Sequence, residues 1–212
     1  MIAHLRRSVV SILVFTAVFG FLYALAGTGV AQLFFRHQAD GSLTSYGSTL
    51  IGQNWADTPC PGHPLGSCVF HGRPDDTGPY AADLKARVAG GDNPLVANGV
   101  PGESGATDLG PRSKVLLEDT RALVAYWHRM GVHPTPDLVT TSGSGLDPDI
   151  SVQDALVQVP MVSRATGIAP SRLRALVARE RQGAELGFLG SPYIDVLRLN
   201  EALARLVAAS GR

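Results

Sequence analysis

VVSILVFTAVFGFLYALAGTGVAQLFF, Val9 to Phe35, carries no charge, and with Ser8 it forms an uncharged run bounded by Arg7 and Arg36. A helix needs roughly 20 apolar residues to cross a bilayer core, so the run predicts a transmembrane anchor over 9–35. The chain before it is a short basic tail, 1–8. The remainder, 36–212, is polar, rich in glycine and proline and mixed in charge, which predicts one soluble domain of ordinary size on one anchor. Thr16, Gly20 and Ala24 repeat at four-residue spacing inside the run. Small side chains on one face let a second helix approach closely in lipid, although small residues are common in spanning helices at large.

Arg6 and Arg7, with His4, precede the run, while Arg36 and His37 come after it. Basic residues beside a span are retained on the cytoplasmic side. The count therefore predicts a cytoplasmic amino terminus and an extracytoplasmic domain from about residue 36 onward. A cleaved signal peptide is the rival reading, because Ala24-Leu25-Ala26 before Gly27 has the A-x-A form of a cleavage site. Against it, Val30, Ala31, Leu33, Phe34 and Phe35 continue the apolar run beyond what a mature amino terminus needs. Both readings export the domain.

Eighteen basic and eighteen acidic residues leave no net charge, and the absence of a basic cluster speaks against a nucleic-acid partner. The two cysteines lie in DTPCPGHPLGSCVFHGR, within a loop spanning 57–71. In an oxidising compartment Cys60 and Cys68, across a Pro/Gly-rich turn, suit a local disulfide. Cys60-x-x-His63 and Cys68-x-x-His71 also present four potential zinc ligands in a short span, and a pair of free thiols is the third alternative.

Along the soluble part, Leu50-Ile51 before Gly52 suggests a short strand near Ser48–Gln53. Residues 90–113 concentrate Gly, Pro and Asn pairs that exclude long regular elements. A helix is expected from Ser113, with Leu116, Leu117, Leu123, Val124 and Trp127 on its apolar face and Gly131 as its stop. Leu138-Val139-Thr140-Thr141 is β-favouring. Ser151-Val152-Gln153-Asp154 reads as a helix start with capping-box character, and Pro160 is expected to end or kink that helix. A further helix begins after Ala169 and stops at Gly183. Pro192–Leu197 reads as a strand leading into a last helix through Leu199, Leu203 and Leu206. The fold class is α+β, with a single amino-terminal transmembrane helix followed by one mixed domain.

Ser142, Gly143, Ser144, Gly145 and Asp147 form the loop most suggestive of ligand binding, since glycines expose backbone amides and a helix start lies nearby. It lacks the Lys-Ser/Thr ending of a P-loop, and Gly and Ser also simply make a tight connection. Asp147 and Asp149 are paired carboxylates that could serve as acid and base or hold a cation, although turn formation and capping is the commoner use. The histidines show no nucleophile-base pattern, and no G-x-S-x-G elbow occurs. The residues therefore favour an anchored binding or assembly domain over an enzyme, with an anchored extracytoplasmic hydrolase as the alternative from a different class.

Longer motifs succeed one another along the chain: Tyr46-Gly47-Ser48-Thr49-Leu50-Ile51-Gly52-Gln53, Phe70-His71-Gly72-Arg73-Pro74, Ser104-Gly105-Ala106-Thr107-Asp108-Leu109-Gly110-Pro111, and Asp137 through Pro148. With Gln158-Val159-Pro160, Leu189-Gly190 and Val196-Leu197-Arg198-Leu199-Asn200, they resemble the KdpC family, the C subunits of bacterial Kdp potassium-transporting ATPases. The resemblance covers nearly the whole chain. It implies a non-catalytic inner-membrane subunit with no cofactor of its own. The partners it implies are a channel-like potassium-translocating subunit, a P-type ATPase subunit and a small single-span subunit.

The same resemblance implies a catalytic chaperone that raises the ATP affinity of the ATPase subunit, with nucleotide contact assigned to a glutamine that corresponds to Gln158. Met161 stands where the family pattern has an arginine, which weakens a phosphate-binding role. Asp149 and Asp195 replace the more usual histidine or asparagine and asparagine, and the cysteine loop reads as an insertion. Charge counting puts Gln158 outside, whereas ATP is hydrolysed inside, so an extracytoplasmic cap or gate over the potassium entry site is the alternative.

Overall fold

The computed structural model describes residues 2–53, 55–56, 58–74, 104–184 and 186–210. Most of the breaker-rich stretch, through residue 103, lies outside them, as does Asp57 at the start of the cysteine loop. Compactness divides the chain into two units, Met1–Thr44 and Ser45–Arg212.

The first unit is one long helix, α1 (Ile2–Phe34), followed by a single turn, α2 (Arg36–Ala39). At about 1.5 Å rise per residue its 33 residues exceed the roughly 30 Å hydrocarbon core of a bilayer. None of its residues is buried within the chain, so Val, Leu and Phe side chains face outward all round, the pattern a lipid environment accepts. Thr16–Leu22 is wound more widely than an α-helix, with the Tyr23 N–H reaching back to the Val18 carbonyl. A Cβ placed on Gly20 would stand 3.8 Å from the Thr16 methyl, so these two small residues share a face.

The second unit is the α+β domain. Its regular elements are α3 (Lys114–Arg129), a 3-10 turn at Pro136–Leu138, β1 (Asp149–Ser151), α4 (Val152–Thr166), α5 (Pro170–Glu180), β2 (Tyr193–Asp195) and α6 (Val196–Ser210). The two strands pair antiparallel with Asp149 opposite Asp195, Ile150 opposite Ile194 and Ser151 opposite Tyr193. Each strand runs straight into a helix. Ser151 caps α4 by accepting the Asp154 N–H, and Asp195 accepts the Arg198 N–H at the start of α6, satisfying amides that a helix start leaves unpaired.

The periodic apolar faces meet in one core. Leu123, Tyr126 and Trp127 of α3, Val159 and Val162 of α4, Leu173 and Val177 of α5, and Leu199 and Leu203 of α6 are all buried with Ile150 and Ile194. Each fully buried side chain of this size contributes about 1.5–3 kcal/mol. Trp127 is fully buried and also donates its indole N–H to the Leu138 carbonyl at 2.8 Å.

Three local expectations are corrected. Residues 48–53 form turns, not a strand, held by the Gln53 amide bonding the Ser48 and Ile51 carbonyls. Leu138–Thr141 is no strand either, because Pro136 opens a helical turn and the Thr140 hydroxyl bonds the Pro136 carbonyl. Helix α4 runs through Pro160 to Thr166 and stops at Gly167, whose φ of 72° is left-handed. Pro160 sits on the exposed side of α4 while Val159, Met161 and Val162 are buried. The packed residues hold the helix together across the missing N–H.

Candidate functional site

Gln158 and Asn200 are the polar residues that organise the interior. Each interrupts the apolar face of its helix, and each grips the backbone of one residue in the Phe70–His71 segment. Gln158 accepts the His71 N–H at 2.8 Å and donates to the His71 carbonyl at 3.0 Å and the Asp154 carbonyl at 3.1 Å. Asn200 accepts the Phe70 N–H at 2.8 Å and donates to the Phe70 carbonyl at 2.8 Å. A segment outside any strand thus obtains its hydrogen bonds from two side-chain amides, as buried backbone groups require. Gln158 is wholly buried. A nucleotide reaching its amide would first have to displace His71.

The His71 ring is enclosed with it. One ring nitrogen, Nε2, lies 2.7 Å from the Gly66 carbonyl, and the ring meets Trp127 edge-on. Burial pulls its pKa down to about 4, opposed by the bond to Gly66, so the ring is neutral near pH 7 and Nε2 carries the donated proton. Gly66 belongs to the cysteine loop. Cys60 and Cys68 are joined by a disulfide, and the Cys68 N–H points at the Cys60 sulfur at 3.0 Å. With both sulfurs in that bond, the Cys-x-x-His pairs supply no thiolate for zinc.

Beyond His71, Arg73 links the segment to the 3-10 turn. Its guanidinium donates to Asp137 at 2.8 Å, to the Thr140 hydroxyl at 3.2 Å and to the Thr141 carbonyl at 3.0 Å. Asp137 accepts the Ser151 N–H with its other oxygen at 2.8 Å. Asp154 accepts the hydroxyls of Thr135 and Ser151. Burial raises the Asp154 pKa, the two hydroxyl bonds lower it, and the charge of Asp137 raises it further. The sequence pattern assigned no role to Arg73 or Asn200, and marked Asp154 only as part of the capping box that begins α4. The available signal was a polar residue in phase with an apolar stripe, as Asn200 is between Leu197 and Leu203.

The Ser142–Asp147 loop is where three of the longer motifs meet. The Ser144 carbonyl accepts the Gly105 N–H at 2.9 Å and the Ser104 hydroxyl at 2.9 Å, and the Leu146 carbonyl accepts the Gly52 N–H at 2.8 Å. Ser142 and Ser144 hydroxyls pair at 3.1 Å, while Gly143 is exposed. Asp147 accepts the Asp149 N–H at 3.0 Å, the turn-forming use of an aspartate. A Cβ on Gly52 would stand 3.1 Å from the Asp147 carbonyl, tighter than ordinary contact, so a larger residue there would make the junction give by a few tenths of an ångström. The loop acts as a junction between chain segments.

Asp149 lies in a cleft of about 300 Å³ with Thr49, Gln182, Tyr193, Asp195 and Arg198. Burial raises its pKa to about 6, the charges of Asp147 and Asp195 add to this, and Arg198 opposes it. Asp195 is raised by burial and held back mainly by its bonds to and charge interaction with Arg198, whose Nε is 3.3 Å away. Among the described residues no group of three or more His, Cys, Asp or Glu is arranged to hold a metal ion.

Fold and site together define a chain with one helix of membrane-spanning length among the described residues and an α+β domain in whose apolar core two side-chain amides hold a backbone segment. The sequence profile described as "KdpC: K+-transporting ATPase, c chain" matches residues 5–205. The chain is 42% identical to the potassium-transporting ATPase KdpC subunit of Methylorubrum extorquens, over 97% of this chain and 98% of that protein. It is 40% identical to the KdpC subunit of Sorangium cellulosum, over 96% and 98%, and 41% identical to that of Bradyrhizobium diazoefficiens, over 98% and 100%. The chain belongs to the KdpC family.

Proposed function

We propose that this chain is the accessory C subunit of an ATP-driven potassium uptake complex, anchored by α1, with its α+β domain on the extracytoplasmic side. The observation that carries this is similarity to KdpC subunits along nearly the entire length, helix included. Arg6 and Arg7 before the uncharged run support the orientation by the positive-inside rule. The disulfide supports it independently, since such bonds persist in oxidising compartments. In this reading the domain meets the potassium-translocating subunit at its outer face and stabilises the assembly, while ATP is hydrolysed on a partner subunit.

The second reading is the catalytic chaperone, with ATP contacting Gln158. The complete burial of Gln158 and the use of its amide by His71 and Asp154 favour the first. Growth on limiting potassium of a strain lacking this chain tests complex function. Restoration by the wild-type chain, with co-purification of the ATPase and potassium-translocating subunits, is the expected outcome. Photoaffinity labelling of the assembled complex with an azido-ATP separates the two readings: label on this chain at α4 supports the chaperone, and label confined to the ATPase subunit supports the extracytoplasmic role.

A further inference from the structure

The segment between α5 and β2 projects apolar side chains into solvent. Leu186 is 81% exposed, Phe188 74% and Leu189 51%. Single exposed apolar residues are ordinary, but three large ones fall within four positions of this loop, and such a concentration points to a partner. The loop is closed at its neck by a two-way backbone pairing of Gln182 with Tyr193, at 2.9 and 3.2 Å. Leu186 holds a left-handed φ of 53°, followed by Gly187 at 81°, with the Gly187 N–H bonded to the Ala184 carbonyl at 3.0 Å. A leucine in that conformation is strained, so the loop keeps a defined shape.

The same loop borders a concavity. A groove of about 450 Å³ is walled by Val152 and Leu156 of α4, Val177 and Ala178 of α5, and Pro192. Arg181 and Pro192, on either side of the loop in sequence, both line it, and Arg174 completes its edge. Neither arginine has an ion pair or hydrogen bond among the described residues. The surface is therefore a shaped apolar knob beside an apolar groove with two cationic groups at its edge. A bilayer surface has no ridge to fill such a groove, whereas a folded partner supplies both ridge and pocket, and the arginines select acidic groups beside them.

We propose that the Leu186–Phe188–Leu189 loop and the α4–α5 groove form the docking surface for another subunit of the potassium-transporting complex, one presenting an apolar pocket with acidic residues at its rim. This rests on the reading of the chain as a subunit of that complex. The test places the photoreactive amino acid benzoylphenylalanine at Phe188 in the full chain, co-expressed with the whole complex, and illuminates intact membranes. A covalent adduct with a partner subunit is expected. An adduct with lipid alone, an adduct with a second copy of this chain, or no adduct in a complex that co-purifies intact would each overturn the proposal. If the chain fails to co-purify with the ATPase at all, the functional reading fails with it.

In parallel, the combined substitution L186S/F188S/L189S should lower recovery of the chain with the complex by about tenfold or more. Val115→Ser, at another exposed apolar position, should leave recovery unchanged. Thermal unfolding of the purified full chain should be the same for all three proteins, and equal recovery of the triple variant and wild type would also overturn the proposal.

Discussion

Gln158 and His71 are separated by 87 positions in the sequence, yet the Gln158 amide bonds both the N–H and the carbonyl of His71, inside the core. Asn200 does the same for Phe70, 130 positions away. The two amides act as substitute strand neighbours. Truncating one leaves buried donors and acceptors without partners, which costs about 1–3 kcal/mol for each such group. Gln158→Ala and Asn200→Ala should each lower the stability of the full chain in detergent by about 2–4 kcal/mol, as read by chemical unfolding. Because they hold adjacent residues, the double variant should lose less than the sum. An additive double variant would show that the Phe70–His71 segment is not held as one unit.

The cysteine loop delivers Gly66 to His71. Closing a loop of eight-residue separation with a disulfide stabilises by about 2–2.5 kcal/mol in the chain-entropy treatment. C60S/C68S should therefore unfold at lower denaturant by about that amount. Gly66→Ala should do at least as much harm. Gly66 holds a φ of 72°, and an added Cβ would fall 2.7 Å from the His71 ring and 2.9 Å from the Ala56 carbonyl. Equal unfolding midpoints for G66A and wild type would contradict the contact.

Two groups titrate in opposing senses. His71, lowered from 6.5 to about 4, resists the proton that the unfolded chain accepts, so its stabilisation is present above pH 6.5 and is lost as pH falls toward 4. The full loss is on the order of 3 kcal/mol. Asp149, raised to about 6, holds a proton that the unfolded chain releases near 4. Its contribution is present at the acid end and is lost as pH rises through 6. Asp149 is partly exposed, so solvent screening keeps its effect below about 1 kcal/mol. Asp149→Asn should be more stable than wild type at pH 7.5 and equal to it below pH 4. Unfolding midpoints across that range check both signs.

The elements legible in the sequence were those with a long period and a capping residue. Ser113 and Ser151 begin α3 and α4 as their sequence patterns indicate, and the apolar spacing of α6 through Leu199 and Leu203 sits in the core. Strand β1 was not legible, because three residues, Asp149–Ser151, are too few to display alternation. Pro160 does not end α4, because its position on the exposed side of that helix depends on tertiary packing. For the site, the resemblance singled out Gln158, but nothing local in the sequence identifies His71 as its neighbour. Nothing local in Ser142–Asp147 shows that Gly52 and Gly105 bond its carbonyls, because glycine and serine serve anion sites and chain junctions equally well.

The central claim is that the α+β domain faces outward from an anchored helix. Labelling at Gln158 would report burial rather than sidedness, so exposed positions are needed. Ala208 on α6 and Ala3 at the start of α1 are both exposed, and the native cysteines are held in the disulfide. A single cysteine at each position, treated in intact cells with a membrane-impermeant maleimide, gives the direct measurement. The account predicts that A208C is labelled without permeabilisation and A3C only after it. The reverse pattern would place the domain in the cytoplasm and contradict the account.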